Sequence, residues 1–167
     1  MEDRRENINS RKLLKRYAAG ERDFAGIRFS ASALDGVDLR EIDLSEADLI
    51  RVDLSGSNLS HANLSGARLL CVNLYAANLE GANLRGADLS GADCIGTNFR
   101  NADLSEAILS GTDFTGADLY AVEMDDAILI ATDFRAAQNF SSPGQGSLIC
   151  KTFWADGEFF KGPEWLE

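Results

Sequence analysis

The sequence predicts an all-β solenoid, a rod of short parallel strands stacked coil upon coil, on three observations. A large apolar residue recurs at every number ending in 4 or 9 from Phe24 to Phe134, giving 23 consecutive units without insertion or deletion. Two places before each centre stands a smaller side chain, Ala in 11 units and charged only at Arg22, and between the two lies Asp or Asn in 17 units. The third observation is what period five excludes. A helix advances about 500° per unit, so its centres scatter around the circumference. A flat strand sends successive centres to opposite faces, because five is odd. A chain that turns one corner per unit, always in the same sense, points every centre and every smaller residue inward.

Residues 1–21 break the five-residue rule and are expected to form a helical cap. Asn9 or Ser10 can cap a helix running to about Ala19, with Gly20 as its stop. Leu13, Leu14, Tyr17 and Ala18 make an apolar stripe, and Arg11, Lys12, Lys15 and Arg16 are expected to face water. The helix reads as a lid that blocks end-to-end strand pairing; contact of this basic helix with membrane or nucleic acid is the alternative.

Residues 22–136 form the repeat block. Its units A-N-L-E-G, A-N-L-R-G and A-D-L-S-G at 77–91 resemble the A(D/N)Lxx signature of the pentapeptide-repeat family, and the stretch RYAAGERDF at 16–24 resembles the opening segment of cyanobacterial members. The resemblance implies a right-handed, quadrilateral parallel β-helix of 20 residues per coil. The 23 units then make about 5.75 coils, a rod roughly 27 Å long. Leu and Phe would stack on their like, with Ala filling the narrow space beside them.

Residues 137–167 are expected to be a loop followed by an aromatic capping tail. The loop SSPGQGS at 141–147 carries Pro and Gly as punctuation. Beyond it Leu148, Ile149, Phe153, Trp154, Phe159, Phe160 and Trp165 crowd a short stretch that will not stay solvated. Phe153, Trp154, Phe159, Phe160 and Trp165 are candidates either for a cap over the last coil or for a docking surface.

A 20-residue coil places residues 20 apart above one another. One column then reads Arg28, Asp48, Arg68, Asp88, Ile108, Ile128, alternating in sign and then turning apolar where Asp or Asn is expected. Ile50, Leu70 and Ile130 lie two places along the same face, so Ile50, Leu70, Ile108, Ile128 and Ile130 form a candidate protein-interaction strip. A second column holds Asp53, Asp93, Asp113 and Asp133; its three consecutive carboxylates repel unless solvent, cations, shifted protonation or a basic partner compensates.

Composition narrows the function. The formal charge is -11 with a pI near 4.5, which disfavours direct binding to nucleic acid or anionic membrane. Cys71, Cys94 and Cys150 are too few and scattered for a disulfide framework. The charge-studded first residues hold no signal-peptide stretch, and no run approaches membrane-spanning length, so a cytoplasmic location is expected. Catalysis needs convergent groups, and none is legible. His61 is the single histidine, Cys94 replaces a core Leu, and Cys71 has no neighbouring base. No catalytic residue, cofactor site or metal site is expected, and the chain does not read as an enzyme.

The expected function is a non-catalytic scaffold that binds an unknown protein partner through the strip or the tail, as a monomer or as a homodimer. The family resemblance implies an alternative. Members related to quinolone resistance act as acidic rods that mimic duplex DNA on type II topoisomerases such as DNA gyrase, and this chain shares the repeat and the negative surface.

Overall fold

Parallel pairing at a constant spacing runs through the repeat block: Asn63 bridges Asn83, Asn83 bridges Asp103, and Asp103 bridges Glu123. The spacing is 20 residues, so four five-residue units complete one coil and the coils stack as a repeat β-helix. The computed structural model describes residues 6–29 and 33–167. Residues 1–5 of the expected N-terminal cap and residues 30–32 of the repeat block lie outside the described residues.

A single unit explains the motif. In residues 82–86, Ala82 N–H donates to Leu79 O at 3.0 Å and closes a turn. Asn83 N–H donates to Ala62 O on one neighbouring coil at 2.9 Å. Leu84 and Gly86 N–H donate to Asp103 O and Ser105 O on the other, at 2.7 and 2.9 Å. Only Arg85 N–H remains, and the Asn83 side-chain oxygen accepts from it at 3.0 Å. A short acceptor just before each centre therefore completes the backbone's hydrogen bonding, which selects Asp and Asn. The last residue of the unit adopts a left-handed conformation, φ +67° at Gly86, which Gly takes without a Cβ clash.

Inside the rod the centres are fully buried, Leu64, Leu84 and Leu104 among them. Each such Leu contributes about 2 kcal/mol. Where Thr replaces Ala its hydroxyl is satisfied: Thr97, Thr112 and Thr132 donate to Leu74 O, Leu89 O and Leu109 O at 2.6, 2.8 and 2.8 Å. Among the described residues no buried side-chain nitrogen or oxygen lacks a partner. Cys94 stands below Phe114 in one column, and Phe114 stacks on Phe134 with centroids 5.1 Å apart. The Cys94 side chain is smaller than Leu, which suits a column that also takes the edge of Phe99 against Phe114 at 5.5 Å. Burial, with Asp93 and Asp113 nearby, pushes the Cys94 thiol up and keeps it inert.

The N-terminal end begins with strand β1 (Asn7–Ile8), which pairs in parallel with β2 (Arg28–Phe29) and sets Ile8 over Phe29. Helix α1 (Ser10–Ala18) follows, and Asn9 accepts from Lys12 N–H at 2.9 Å as its cap. Leu13 is fully buried, with Leu14 and Tyr17 half-buried beside it. Two side chains depart from the expected stripe. Ala18 is exposed, and Arg16 is half-buried rather than facing water. Arg16 pairs with Glu6 and Glu21 and lies 5.0 Å from the Phe24 ring centroid. A planar guanidinium holding two carboxylates and an aromatic face tolerates that position.

At the other end the ladder outlasts the apolar period. Asp118 bridges Gln138, β3 (Ile128–Ile130) pairs in parallel with β4 (Leu148–Cys150), and Asp133 bridges Phe153. The expected boundary at residue 136 marks where the side-chain period lapses, at Asn139 and Gly144; coil stacking is a backbone property and continues. Ile149 then returns to the core register. The chain next reverses, with β5 (Thr152–Phe153) antiparallel to β6 (Phe159–Phe160) and β7 (Glu164–Trp165) antiparallel to β4. Leu166 N–H to Ser147 O and Gly146 N–H to Leu166 O, at 3.0 and 2.7 Å, fasten this last strand.

Candidate functional site

The face carrying the predicted strip is built by strand positions that the 20-residue ladder superimposes. At its N-terminal end Asp48 is nearly buried between Arg68 at 2.8 Å and Arg28 at 3.7 Å. Asp88 breaks the expected alternation of pairs. It accepts from the Ser90 hydroxyl and N–H at 2.6 and 3.0 Å instead of pairing with Arg68, because the turn donors are nearer than the next coil.

Toward the C-terminus the face turns aliphatic. Ile108 bridges Ile128, and both are half-buried; Ile50 and Leu70 are half-buried, and Ile130 is exposed. Ile cannot accept a hydrogen bond, so Ile108 forgoes the turn bond that Asp or Asn makes elsewhere. The ladder then extends the strip beyond its predicted end. Leu148 lies in register with Ile128, Cys150 with Ile130, and Trp165 with Leu148. Trp165 is 62% exposed. Ile108, Ile128, Leu148 and Trp165 thus form one outward column, and the strip and part of the tail are one surface.

Leu148 and Cys150 were within reach of the sequence, since each stands 20 residues after a strip member. Trp165 was not, because it arrives on an antiparallel return that no period encodes. The strand positions of this face carry Arg28 and Arg68 against Asp48 and Asp88, and its corners carry Arg51 and Lys151 on one side and Glu46, Glu106 and Asp126 on the other.

The other tail aromatics go elsewhere. Trp154 and Phe140 pack on Phe134 at 6.2 and 4.3 Å, extending the core column that Phe114 and Phe134 form. Phe160 packs on Trp154 at 6.3 Å. Phe153 and Phe159 meet at 4.8 Å on the outside of the neighbouring face, where Arg135 lies 5.0 Å from the Phe153 centroid. Five residues read as one group therefore occupy three places.

The acidic column is tied to its own turns. Asp53, Asp93, Asp113 and Asp133 accept from the N–H groups of Ser55, Ile95, Thr115 and Arg135 at 3.0, 3.1, 2.8 and 3.0 Å. Arg135 also clasps Asp133 through its side chain. These bonds stabilise the stacked carboxylates. Burial pushes Asp133 upward, but hydrogen bonds from Arg135 outweigh it and hold the carboxyl below its ordinary value. The same balance, with Asn139 and Arg100 as donors, lowers Asp118, and Ser45 and Asn63 lower Asp43.

A folded-state value below the unfolded one stabilises the rod above the unfolded pKa, and that contribution is lost as pH falls through the folded value. Relief of negative self-repulsion acts in the opposite sense, so a variant isolates the effect. Thermal melts followed by circular dichroism are expected to show wild type losing more midpoint than Asp118→Asn below about pH 4.

The remaining candidates for chemistry are His61 and the cysteines. His61 occupies a left-handed corner, φ +58°, and its ring fills the space above Gly81, where a Cβ would stand 2.6 Å from Nδ1. Cys71 is exposed, Cys150 is half-buried, and all three thiols are free. Among the described residues no group of three or more His, Cys, Asp or Glu is placed to hold a metal ion. No helix there is long and apolar enough to cross a membrane.

Several solved structures are similar to this chain. A pentapeptide repeat protein, Rfr23, from the cyanobacterium Cyanothece 51142 is 38% identical over 54% of this chain and 58% of its own, with a TM-score of 0.44. This chain therefore spans less than two thirds of that relative's length. HetL, a pentapeptide repeat protein involved in heterocyst differentiation regulation from Nostoc sp. strain PCC 7120, is 22% identical over 92% of this chain and 100% of its own, at 0.31. QnrB1, a plasmid-mediated fluoroquinolone resistance protein, is 17% identical over 88% of this chain and 79% of its own. Its TM-score of 0.56 shows a shared repeat β-helix fold. No curated protein sequence matches the chain. Pentapeptide repeats match in eight copies across residues 23–60, 32–70, 67–105 and 97–135, the span in which the ladder and turn bonds repeat, and on that match the chain belongs to the pentapeptide repeat family.

Proposed function

We propose that this protein is a non-catalytic scaffold that docks another protein on the face formed by Ile50, Leu70, Ile108, Ile128, Ile130, Leu148 and Trp165. The observation that carries the reading is the outward column Ile108, Ile128, Leu148 and Trp165. It gives up turn hydrogen bonds, each worth about 1 kcal/mol, to hold aliphatic groups at the surface. Those groups add nothing to the core, and they lead to an exposed Trp, a residue type that anchors protein interfaces. The rod that presents this face is right-handed and four-sided in this reading, with α1 closing one end and the tail closing the other. Full burial of Leu13 and the antiparallel return of β7 support the two closures.

Photo-crosslinking tests the docking face. A photoreactive residue at Ile130 and another at Trp165 are expected to capture one and the same partner, and one at Asn101, two sides away, is expected to capture nothing. Equal capture from Asn101 would contradict the proposal.

The second reading is an acidic rod that takes the place of duplex DNA on a type II topoisomerase or another DNA-binding protein. It is favoured by the excess of 19 acidic over 8 basic residues in the repeat block. Salt-sensitive inhibition of DNA gyrase by the purified protein would support it, and no inhibition at low salt would remove it.

A further inference from the structure

We propose that the C-terminal end of the rod holds a binding site for an organic cation, an ammonium or guanidinium head group, in the hollow floored by Phe140 and Trp154. The hollow measures about 370 Å³ and is also lined by Ser141, Ser142, Asp156 and Leu166. That volume lies within the range of small-ligand sites, about 300–1,000 Å³.

Its floor follows from the core. Phe114 covers the inner side of Phe134, with the two rings within 5° of parallel. Phe140 and Trp154 lie on the other side, inclined to Phe134 by only 14° and 21°. They sit side by side, centroids 6.0 Å apart, beyond Phe134 in the aromatic stack, and both line the hollow. An aromatic face carries the negative part of the ring quadrupole and attracts a cation.

The polar groups at the rim agree in sign. Asp156 bears a carboxylate, one of whose oxygens accepts from Glu158 N–H at 2.9 Å and is held in place by it. Ser141 and Ser142 bring hydroxyl oxygens and no positive charge. Among the described residues no Lys or Arg lines the hollow, so a cation meets two aromatic rings, a carboxylate and hydroxyl acceptors. An anion would meet the Asp156 carboxylate and have only neutral donors such as the Ser141 and Ser142 hydroxyls to set against it. A neutral apolar group would fill the space but leave the carboxylate without a counter-charge.

The head group has two sources, a free alkylammonium compound or a basic side chain of another protein, and the test separates them. The indole N–H resonances of Trp154 and Trp165 are followed by NMR in the full-length protein. Choline, its uncharged isostere 3,3-dimethyl-1-butanol, and the peptide acetyl-Gly-Arg-Gly-amide are titrated separately at constant ionic strength. Saturable shifts of Trp154, with Trp165 unmoved, are expected for at least one of the two cations and not for the isostere. Choline saturation assigns a free cation, and saturation by the peptide alone assigns a side chain. Asp156→Asn, an exposed substitution that keeps the acceptor for Glu158 N–H, is expected to weaken the binding about five-fold or more. Linear shifts with both cations, an equal response to the isostere, or unchanged affinity in Asp156→Asn would each overturn the proposal.

Discussion

Replacing Leu84 by Asp is expected to leave no folded rod. Leu84 is fully buried at mid-rod, stacked in the column between Leu64 and Leu104. The change removes about 2 kcal/mol of burial. It also places a carboxylate where every nearby backbone donor is already engaged in the coil ladder. Each coil is stabilised by its neighbours, so a failed coil exposes the cores on both sides. Loss of the cooperative thermal transition in circular dichroism is the expected readout. Leu84→Ala, which creates a cavity without a charge, is expected to fold with a loss of about 2–5 kcal/mol. A cooperative, near-wild-type melt for Leu84→Asp would show that the column is not the core described here.

The second large effect is expected from Phe134→Ala, and it should be concentrated at one end. Phe134 touches Phe114 below and Phe140 and Trp154 above, so it joins the last coil to the tail. Truncation should cost about 3–5 kcal/mol. Ile149 and the β3–β4 ladder still hold β4 to the rod, so the antiparallel return that ends in β7 is expected to open before the rod does. Hydrogen exchange is the measurement. The amides of Gly146 and Leu166, bonded to Leu166 O and Ser147 O, should lose protection in the variant while that of Leu64 keeps it. Uniform loss along the chain would mean that the tail and the coils unfold as one unit.

What the sequence displays and what it hides divide along a physical line. Side-chain periodicity marks which residues face inward, and that half of the fold is legible from Phe24 to Phe134. The number of sides leaves no compositional mark, and the family resemblance implies it; the ladder shows pairing at a 20-residue spacing. The same reasoning explains why stacking runs past residue 136, since Asp133 pairs with Phe153 whether or not Asn139 and Gly144 are apolar. β1 escaped notice because two residues, Asn7 and Ile8, show no period. In the site, Ile108 and Ile128 stood out as breaks in a rule. Trp165 stood out only as one aromatic among several, because its place beside Leu148 depends on a chain reversal.

The most direct test of the docking face compares wild type with the double variant Ile108→Asn and Ile128→Asn. Asn is the ordinary residue at this place in the repeat, and Asn58, Asn78 and Asn98 already form a hydrogen-bonded column on another face. The variant is therefore expected to melt within about 1 kcal/mol of wild type, or above it. Both proteins, tagged, are used to capture partners from the native lysate at low and high salt, with recovered proteins identified by mass spectrometry. A protein that wild type retains through high salt, where charge attraction is screened, and that the variant loses is the expected result. Identical retention by both proteins, or release of every partner as salt rises, would contradict it.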